Sequence, residues 1–182
     1  MTPSTSFRPH LLARGGHRQT MLGYWLRRGL LWTPPTEDVV LDVEPGVRLL
    51  LSGRTLGRDG KPLAGVEIYA YHTGADGLYR NDRYTPEWPA KPPRLQGTLH
   101  TAADGSYQID TIKPGAYPSR NNPAHIHFKL RAPGYPEQGE TIWFEGDRLL
   151  TSQQKAAYVV RLQRDSGGVL HGTHDFHLGS PQ

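Results

Sequence analysis

Short apolar runs separated by glycine and proline are the feature that most limits how this chain can fold. Glycine contributes 21 residues and proline 16, so the two make up 37 of 182 residues. Runs bounded in this way predict short strands joined by tight turns. The predicted strands are VRLLLSGRTL (47–56), VEIYAYHT (66–73), SYQIDTI (106–112), AHIHFKLRA (124–132), ETIWFEG (140–146) and AAYVVRLQR (156–164), with DFHL (175–178) as an edge strand. This pattern indicates a mainly β protein, an antiparallel β-sandwich.

The N-terminal segment differs because its apolar residues have helical spacing. In HRQTMLGYWLRRGLLW (17–32), Met21, Trp25 and Leu26 fall on one side of a helix, and Pro34 follows the segment. This pattern predicts a helix, for which two interpretations stay open: it covers a sheet face, or it packs against a second subunit. We therefore predict a helical extension over 1–45 and a β-sandwich domain over 46–182.

Two further segments carry expectations of their own. TPEWPAKPPRLQG (85–97) contains four prolines and is predicted to be a long loop beside the functional site, because proline cannot lie inside a sheet. HGTHDFHLG (171–179) contains three histidines and is predicted to be a solvated tail, with adventitious metal binding as the alternative.

Composition narrows the function classes. The chain has no cysteine, so disulfides, thiolate metal sites and cysteine nucleophiles are excluded, and any metal needs nitrogen and oxygen ligands. Such ligands suit iron(III), or zinc in an oxygen-rich shell. The net charge of +4 comes without a basic stripe interleaved with aromatics, so nucleic acid is not an expected partner. No apolar run approaches the roughly 20 residues of a membrane span, and we expect a soluble, cytoplasmic protein.

Two histidines two residues apart are the clearest candidates for chemistry. On a strand, His125 and His127 point to the same face. With 9 histidines in the chain, such a pair alone is close to a chance occurrence. Tyr117 precedes the pair in TIKPGAYPSRNNPAHIHF, so two imidazoles and a phenol could converge on one metal ion. A phenol has a pKa of about 10, and a strongly Lewis-acidic ion such as iron(III) is needed to hold it ionised.

Five fragments in a fixed order extend this pattern beyond the histidines. They are GRTLGRDGKPLAGVEIY, ADGLYRNDRY, ADGSYQIDTIKPGAYP, PAHIHF and FEGD. Over about residues 46–147 the chain resembles the intradiol ring-cleavage dioxygenase family, of the protocatechuate 3,4-dioxygenase and catechol 1,2-dioxygenase type. The resemblance implies a β-sandwich catalytic domain and a mononuclear non-haem iron(III) cofactor.

The resemblance also implies the ligands of that iron. They are Tyr79, Tyr117, His125 and His127, with Tyr117 and His127 axial and Tyr79 and His125 equatorial. By the same resemblance Tyr117 leaves the metal and acts as a catalytic base. Tyr69, Tyr71, Tyr84 and Tyr107 are expected to be packing or pocket-wall aromatics, with Tyr84 among the substrate contacts.

The chain departs from the family pattern at two positions. Asn122 stands where an arginine usually precedes the Pro-Ala-His-Ile-His run, and Arg120, two residues upstream, is either its catalytic replacement or a surface residue. Thr141 stands where the family tends to have glutamine, and a hydroxyl cannot reproduce the paired donor and acceptor of an amide. Asn122 and Thr141 are both expected to contact substrate.

The expected function is iron(III)-dependent intradiol cleavage of a catechol-type ring by O2, giving a muconate-type diacid. The expected partners are a small aromatic diol and O2, and we expect a homo-oligomer, because members of the family commonly associate. Two alternatives stay open. One is a metal-free, transthyretin-like β-binding module, and the other is an iron-binding family member with altered or lost ring-cleavage activity.

Overall fold

Two β-sheets form the described part of the chain. The structure, a computed structural model, describes residues 6–7, 44–79, 93–118 and 122–179. The strands are β1 (Ser6–Phe7), β2 (Arg48–Leu56), β3 (Glu67–His72), β4 (Leu95–His100), β5 (Ser106–Ile112), β6 (His125–Arg131), β7 (Gln138–Phe144), β8 (Val159–Val160), β9 (Gln163–Arg164), β10 (Leu170–Thr173) and β11 (Phe176–His177). A 3-10 turn, Ala156–Tyr158, precedes β8.

The sheet that carries the histidine pair has the order β4-β3-β6-β7-β8. Its β4, β3, β6 and β7 pair antiparallel, and β8 is a parallel addition at the edge. The other sheet has the order β1-β5-β2-β10-β9. There β5 pairs antiparallel with β2, while the short β10 and β11 both pair parallel with β2. The β-sandwich is confirmed, and its short strands β1, β8, β10 and β11, each of which pairs parallel with one neighbour, make both sheets mixed.

Strand alternation places the core between the sheets and leaves one face of β6 for other uses. Ile126, Phe128 and Leu130 are all at most 2% exposed and pack into the core. Because successive side chains in a strand point to opposite faces, His125, His127 and Lys129 lie on the other face of β6. The residues that hold the fold together and the residues available for chemistry therefore share one strand.

Most of the predicted strands are present near their predicted bounds, but β4, β10 and the two-residue β1 were not anticipated. Residues 95–97 were assigned to the proline-rich loop, but they begin β4. Leu95 and Leu99 are buried, and β4 pairs with β3 over its whole length, so the loop ends once the prolines are passed.

The single strand predicted over 156–164 is divided into a 3-10 turn and two short strands. The reason is that Val159–Val160 pairs with β7, whereas Gln163–Arg164 pairs with β10 of the other sheet, so the chain crosses between sheets here.

Several predictions fall on residues outside the described ranges. They include the helix over 17–32, most of the loop over 85–97, Tyr84 and Arg120, and they stay predictions. Among the described residues, no helix has the length and apolar character needed to cross a lipid bilayer.

Candidate metal centre

The two histidines of β6 lie on the outer face of their sheet beside β7. His125 is paired in register with Trp143, and His127 with Thr141. On the other side of β6, the ring of Tyr71 from β3 stacks on His127 with 4.9 Å between ring centroids. His125 is 4% exposed. The pattern of two histidines two apart thus gives two imidazoles fixed side by side.

Two tyrosines reach the same place from two loops that nest against each other. Tyr79 follows the turn at 74–77, and Tyr117 follows Gly115. A Cβ atom on Gly77 would lie 1.9 Å from the carbonyl oxygen of Ala116, and one on Gly115 would lie 2.3 Å from that of Ala75. Only glycine permits this approach. The Gly115 amide donates to the Gly74 carbonyl at 2.9 Å and locks the two loops together.

Four side-chain donor atoms converge as a result. The hydroxyl oxygens of Tyr79 and Tyr117 are 2.7 Å apart, and the Tyr117 oxygen is 3.1 Å from Nε2 of His125. Nε2 of His125 is in turn 3.0 Å from Nε2 of His127. All four residues that the sequence resemblance implies as ligands are therefore brought together.

The second ring nitrogens of the histidines are held by neighbours. Nδ1 of His125 lies 2.6 Å from the carbonyl oxygen of Pro123, which can only accept a hydrogen bond, so Nδ1 carries the hydrogen and Nε2 presents a lone pair. Nδ1 of His127 lies 3.0 Å from the hydroxyl of Thr141. Burial lowers the pKa of both imidazoles, to about 3 for His127, so both are neutral at pH 7.

Burial has the opposite effect on the phenols. It raises the pKa of both Tyr79 and Tyr117, because removing water disfavours the charged form. In Tyr79 the hydrogen bond with Tyr117 raises the pKa further. Neither phenol ionises at neutral pH unless a cation stabilises the phenolate.

The chemistry of this donor set fits a strongly Lewis-acidic metal ion. The described residues contain no group of three or more His, Cys, Asp or Glu side chains placed to hold a metal. A metal bound here would therefore need the two phenols as well as the two imidazoles. Neutral imidazoles with held Nδ1 atoms are prepared to ligate through Nε2, and ferric iron is an ion able to ionise the phenols.

The predicted substrate contacts are less uniform in their placement. Thr141 contacts one of the ligand candidates directly, since its hydroxyl oxygen lies 3.0 Å from Nδ1 of His127. Asn122 is half-buried directly before Pro123 and forms no hydrogen bond with another described residue.

A pocket opens beside His127 and includes residues that the motifs did not indicate. Its volume is about 350 Å³, and its described lining is Tyr71, His127, Phe128, Lys129, Gly139, Glu140, Thr141, Trp143, Lys155 and Tyr158. Tyr71 was expected to be a packing or pocket-wall aromatic, and it both stacks on His127 and lines the pocket. Trp143, Lys155 and Tyr158 were missed, because only strand register and the crossing after β7 bring them beside the histidines.

Comparison with known proteins supplies independent information. A family model described as "Dioxygenase" matches residues 33–166. The protocatechuate 3,4-dioxygenase beta chain of Burkholderia cepacia is 36% identical over 123 residues, covering 63% of this chain and 52% of that protein. The chlorocatechol 1,2-dioxygenase of Rhodococcus opacus is 31% identical over 131 residues, covering 63% of this chain and 50% of that protein. The chain thus spans about half the length of the curated relatives it matches.

Solved structures of dioxygenases are also similar to this chain. The dioxygenase domain of a dioxygenase carbohydrate-binding protein fusion from Streptomyces sp. SirexAA-E is 31% identical, with a TM-score of 0.64, and the match covers 85% of this chain and 96% of that chain. Catechol 1,2-dioxygenase from Pseudomonas arvilla C-1 is 27% identical, with a TM-score of 0.61, and the match covers 77% of this chain and 55% of that one. The similarity extends over nearly the whole of a separately solved dioxygenase domain.

Proposed function

Because the chain belongs to the intradiol ring-cleavage dioxygenase family, we propose that it is an iron(III)-dependent enzyme that cleaves a catechol-type ring with O2 to a muconate-type diacid. The observation that carries the proposal is the convergence of two phenols and two imidazoles, whose donor atoms follow one another at distances of 2.7–3.1 Å. These four side chains, Tyr79, Tyr117, His125 and His127, would hold the iron. The bound ferric ion would supply a Lewis acid that favours the ionised form of the substrate hydroxyls.

The four ligands differ in how firmly the protein holds them. His125 is fixed through Pro123, and His127 through Thr141. Tyr79 is 5% exposed, whereas Tyr117 is half-buried and precedes the segment that leads to the histidine strand. Tyr117 is therefore the ligand best placed to move. We assign it the role of base, accepting a proton from a substrate hydroxyl on its phenolate oxygen.

The residues around Asn122 would determine how negative charge on the substrate is balanced. The carboxamide of Asn122 can donate a hydrogen bond but carries no charge. We propose that Arg120 supplies the missing cation, because a guanidinium near a developing anion stabilises it. Replacing Arg120 with Ala should lower kcat/KM while leaving iron content unchanged. Unchanged kcat/KM would assign Arg120 to the surface.

The visible spectrum of the iron-loaded protein provides the first test of the iron site. Purified protein loaded with ferric ion should be red-brown, because tyrosinate ligands give iron(III) a visible charge-transfer band, and the band should shift when a catechol is added without oxygen. Protein that stays colourless after reconstitution with ferric ion would contradict the iron site.

Oxygen uptake with catechol, protocatechuate and chlorocatechols then tests the chemistry. Uptake accompanied by a muconate-type absorbance is the expected result. A coloured protein that consumes no oxygen with any catechol would support the second candidate, an iron-binding member with altered or lost activity. That candidate is favoured by one observation, the uncharged Asn122 before the Pro-Ala-His-Ile-His run.

We also propose that the chain forms a homo-oligomer. The support is the sequence 17–32, whose apolar residues have helical spacing and could bury against a second copy. Sedimentation of the full chain should give a mass that is a multiple of 20.3 kDa. A monomer over the micromolar range would exclude this assembly.

A further inference from the structure

The pocket beside His127 is lined by polar side chains from two parts of the chain. One part supplies the metal-ligand candidate His127 and its partner Thr141. The other supplies Lys155 and Tyr158, which belong to the 3-10 turn and the residue before it. Tyr71 and Trp143 also belong to the lining. We expect a catechol whose hydroxyls lie at the four-donor cluster to extend its ring substituent into this pocket.

One wall residue has an unused hydrogen-bond donor. The indole Nε1 of Trp143 is buried and has no acceptor among the described residues. Trp143 is paired in register with His125 and lies on the same face of its sheet. A buried N–H without an acceptor is unfavourable, so an acceptor that reached Nε1 would be stabilised by it.

Two lysines line the pocket, and Lys129 is close enough to Glu137 to help lower the pKa of that carboxyl. Lys155 is exposed and forms no salt bridge with any described side chain. Lys129 follows His127 by two residues on the same face of β6 and also lacks a salt bridge within the described ranges. An ammonium with free donors attracts an anionic group.

The pocket also contains one described carboxylate, which the protein already uses. Glu140 lines the pocket, but its side chain is only 7% exposed and its Oε1 lies against Nε2 of His174. Gln138 approaches its other oxygen at 3.5 Å. Glu140 is therefore bonded within the protein, whereas neither the Lys155 ammonium nor the Trp143 indole N–H has a hydrogen-bond or salt-bridge partner among the described residues.

We propose that this pocket is an anion-recognition subsite that selects catechols carrying an acidic side chain, with Lys155 and the indole N–H of Trp143 as its donors. The inference rests on the proposed function, because it requires the diol to be held at the four-donor cluster. Tyr71 and Tyr158 would contact the apolar part of the side chain.

Three catechols matched in side-chain length test the subsite on the iron-loaded full chain. They are 3-(3,4-dihydroxyphenyl)propionate, its primary amide, and the corresponding 3-aminopropyl catechol. The propionate should have the highest kcat/KM. Because Lys155 is exposed, its ion pair with the ligand should be worth about 3- to 5-fold over the amide, and the advantage should shrink at high salt.

Variants assign the effect to the named donors. Lys155→Gln should lower kcat/KM for the propionate by about 3- to 5-fold and so remove most of its preference over the amide. Trp143→Phe should raise KM for the propionate while the visible band of the iron is retained. Lys61→Gln is the matched control, because Lys61 is exposed in the turn before β3 and does not line the pocket.

Two results would overturn the inference while leaving the proposed function intact. One is equal kcat/KM for propionate and amide, unchanged by Lys155→Gln. The other is a preference for the amine, which would assign recognition to Glu140. If no catechol is turned over, the proposed function fails, and anaerobic equilibrium binding of the same three compounds still measures the ratio. Absence of binding by all three would then overturn the subsite as well.

Discussion

Two segments of this chain are both rich in histidine, but the side chains of those histidines make different contacts in the structure. His125 and His127 project from the outer face of β6 and meet each other and two phenols. The C-terminal histidines separate: the Nε2 atoms of His171 and His174 contact Asp165 and Glu140, whereas His177 is exposed. The predicted solvated tail is therefore wrong, since this segment forms β10 and β11 against β2.

The cause of the difference lies outside the histidines. The backbone of the C-terminal segment lies very close to β2 at Gly53, where a Cβ atom would be 1.7 Å from the carbonyl oxygen of His174. The hydroxyl of Tyr107 donates to the same carbonyl at 2.6 Å. This anchoring buries the His174 ring between the sheets, where a carboxylate meets it. The number of histidines in a segment therefore predicts a metal centre poorly. What matters is whether ligands from other parts of the chain converge on those histidines.

The largest effect is expected from His127→Ala, which removes one of the two histidines on the outer face of β6. Removing a ligand should abolish stoichiometric iron binding and the visible band, since even the loss of a residue that only hydrogen-bonds to a ligand typically costs about 10–100-fold in metal affinity. His171→Ala is the control and should leave both unchanged. Iron content and the visible spectrum of both variants provide the measurement. Full iron with an unaltered band in His127→Ala would remove His127 from the ligand set.

Replacing Tyr117 with Phe tests the phenol whose oxygen lies 3.1 Å from Nε2 of His125. The variant loses the base and one phenolate, so kcat should fall by about 100- to 10 000-fold and the visible band should shift. Tyr69→Phe, on a tyrosine that bonds Gln96, is the matched control. A variant with normal kcat would exclude Tyr117 as the base.

His174→Ala tests the second segment as a stability element. It leaves the buried Glu140 carboxylate without its partner, which should lower the free energy of unfolding by about 3–5 kcal/mol. Denaturant unfolding measures the loss, and iron bound per folded molecule should not change. The double variant with His174→Leu and Glu140→Leu should recover much of the stability. Loss of iron from folded His174→Ala would mean that the two histidine segments are coupled.

The smallest expected effect comes from Thr141→Val. The change removes the hydroxyl that lies 3.0 Å from Nδ1 of His127 and keeps a branched side chain of similar size. Iron affinity should fall by about 10-fold, the lower end of the range for residues that hydrogen-bond to a metal ligand. Thr141→Ser should restore it. Unaltered affinity in Thr141→Val, with a changed KM for catechols, would return Thr141 to the role of a substrate contact.

Local patterns predicted much of the fold, and the resemblance of five ordered fragments implied the four candidate ligands. The runs between turn residues predicted β2, β3, β5, β6 and β7 near their observed bounds. Alternation along β6 predicted that both histidines share a face, and the ordered fragments indicated Tyr79 and Tyr117. These features depend on residues close in sequence, so the sequence carries them directly.

Other features depend on contacts between distant segments and were not predictable in this way. The strand β4 follows a proline-rich run, and only its pairing with β3 makes it a strand. Trp143 and Lys155 join the pocket through the register of β6 with β7 and through the crossing that follows β7. The contact of Thr141 with His127 depends on the same register.

The sequence by itself determined a β-rich chain in which two histidines share a strand face and two tyrosines follow glycine-containing turns. The tertiary structure decided that the four donor atoms meet. It did so because Gly77 and Gly115 let two loops approach within a distance that no side chain allows. It also decided that His174 is buried beside Glu140, since strand pairing and sheet packing bring together residues 34 positions apart.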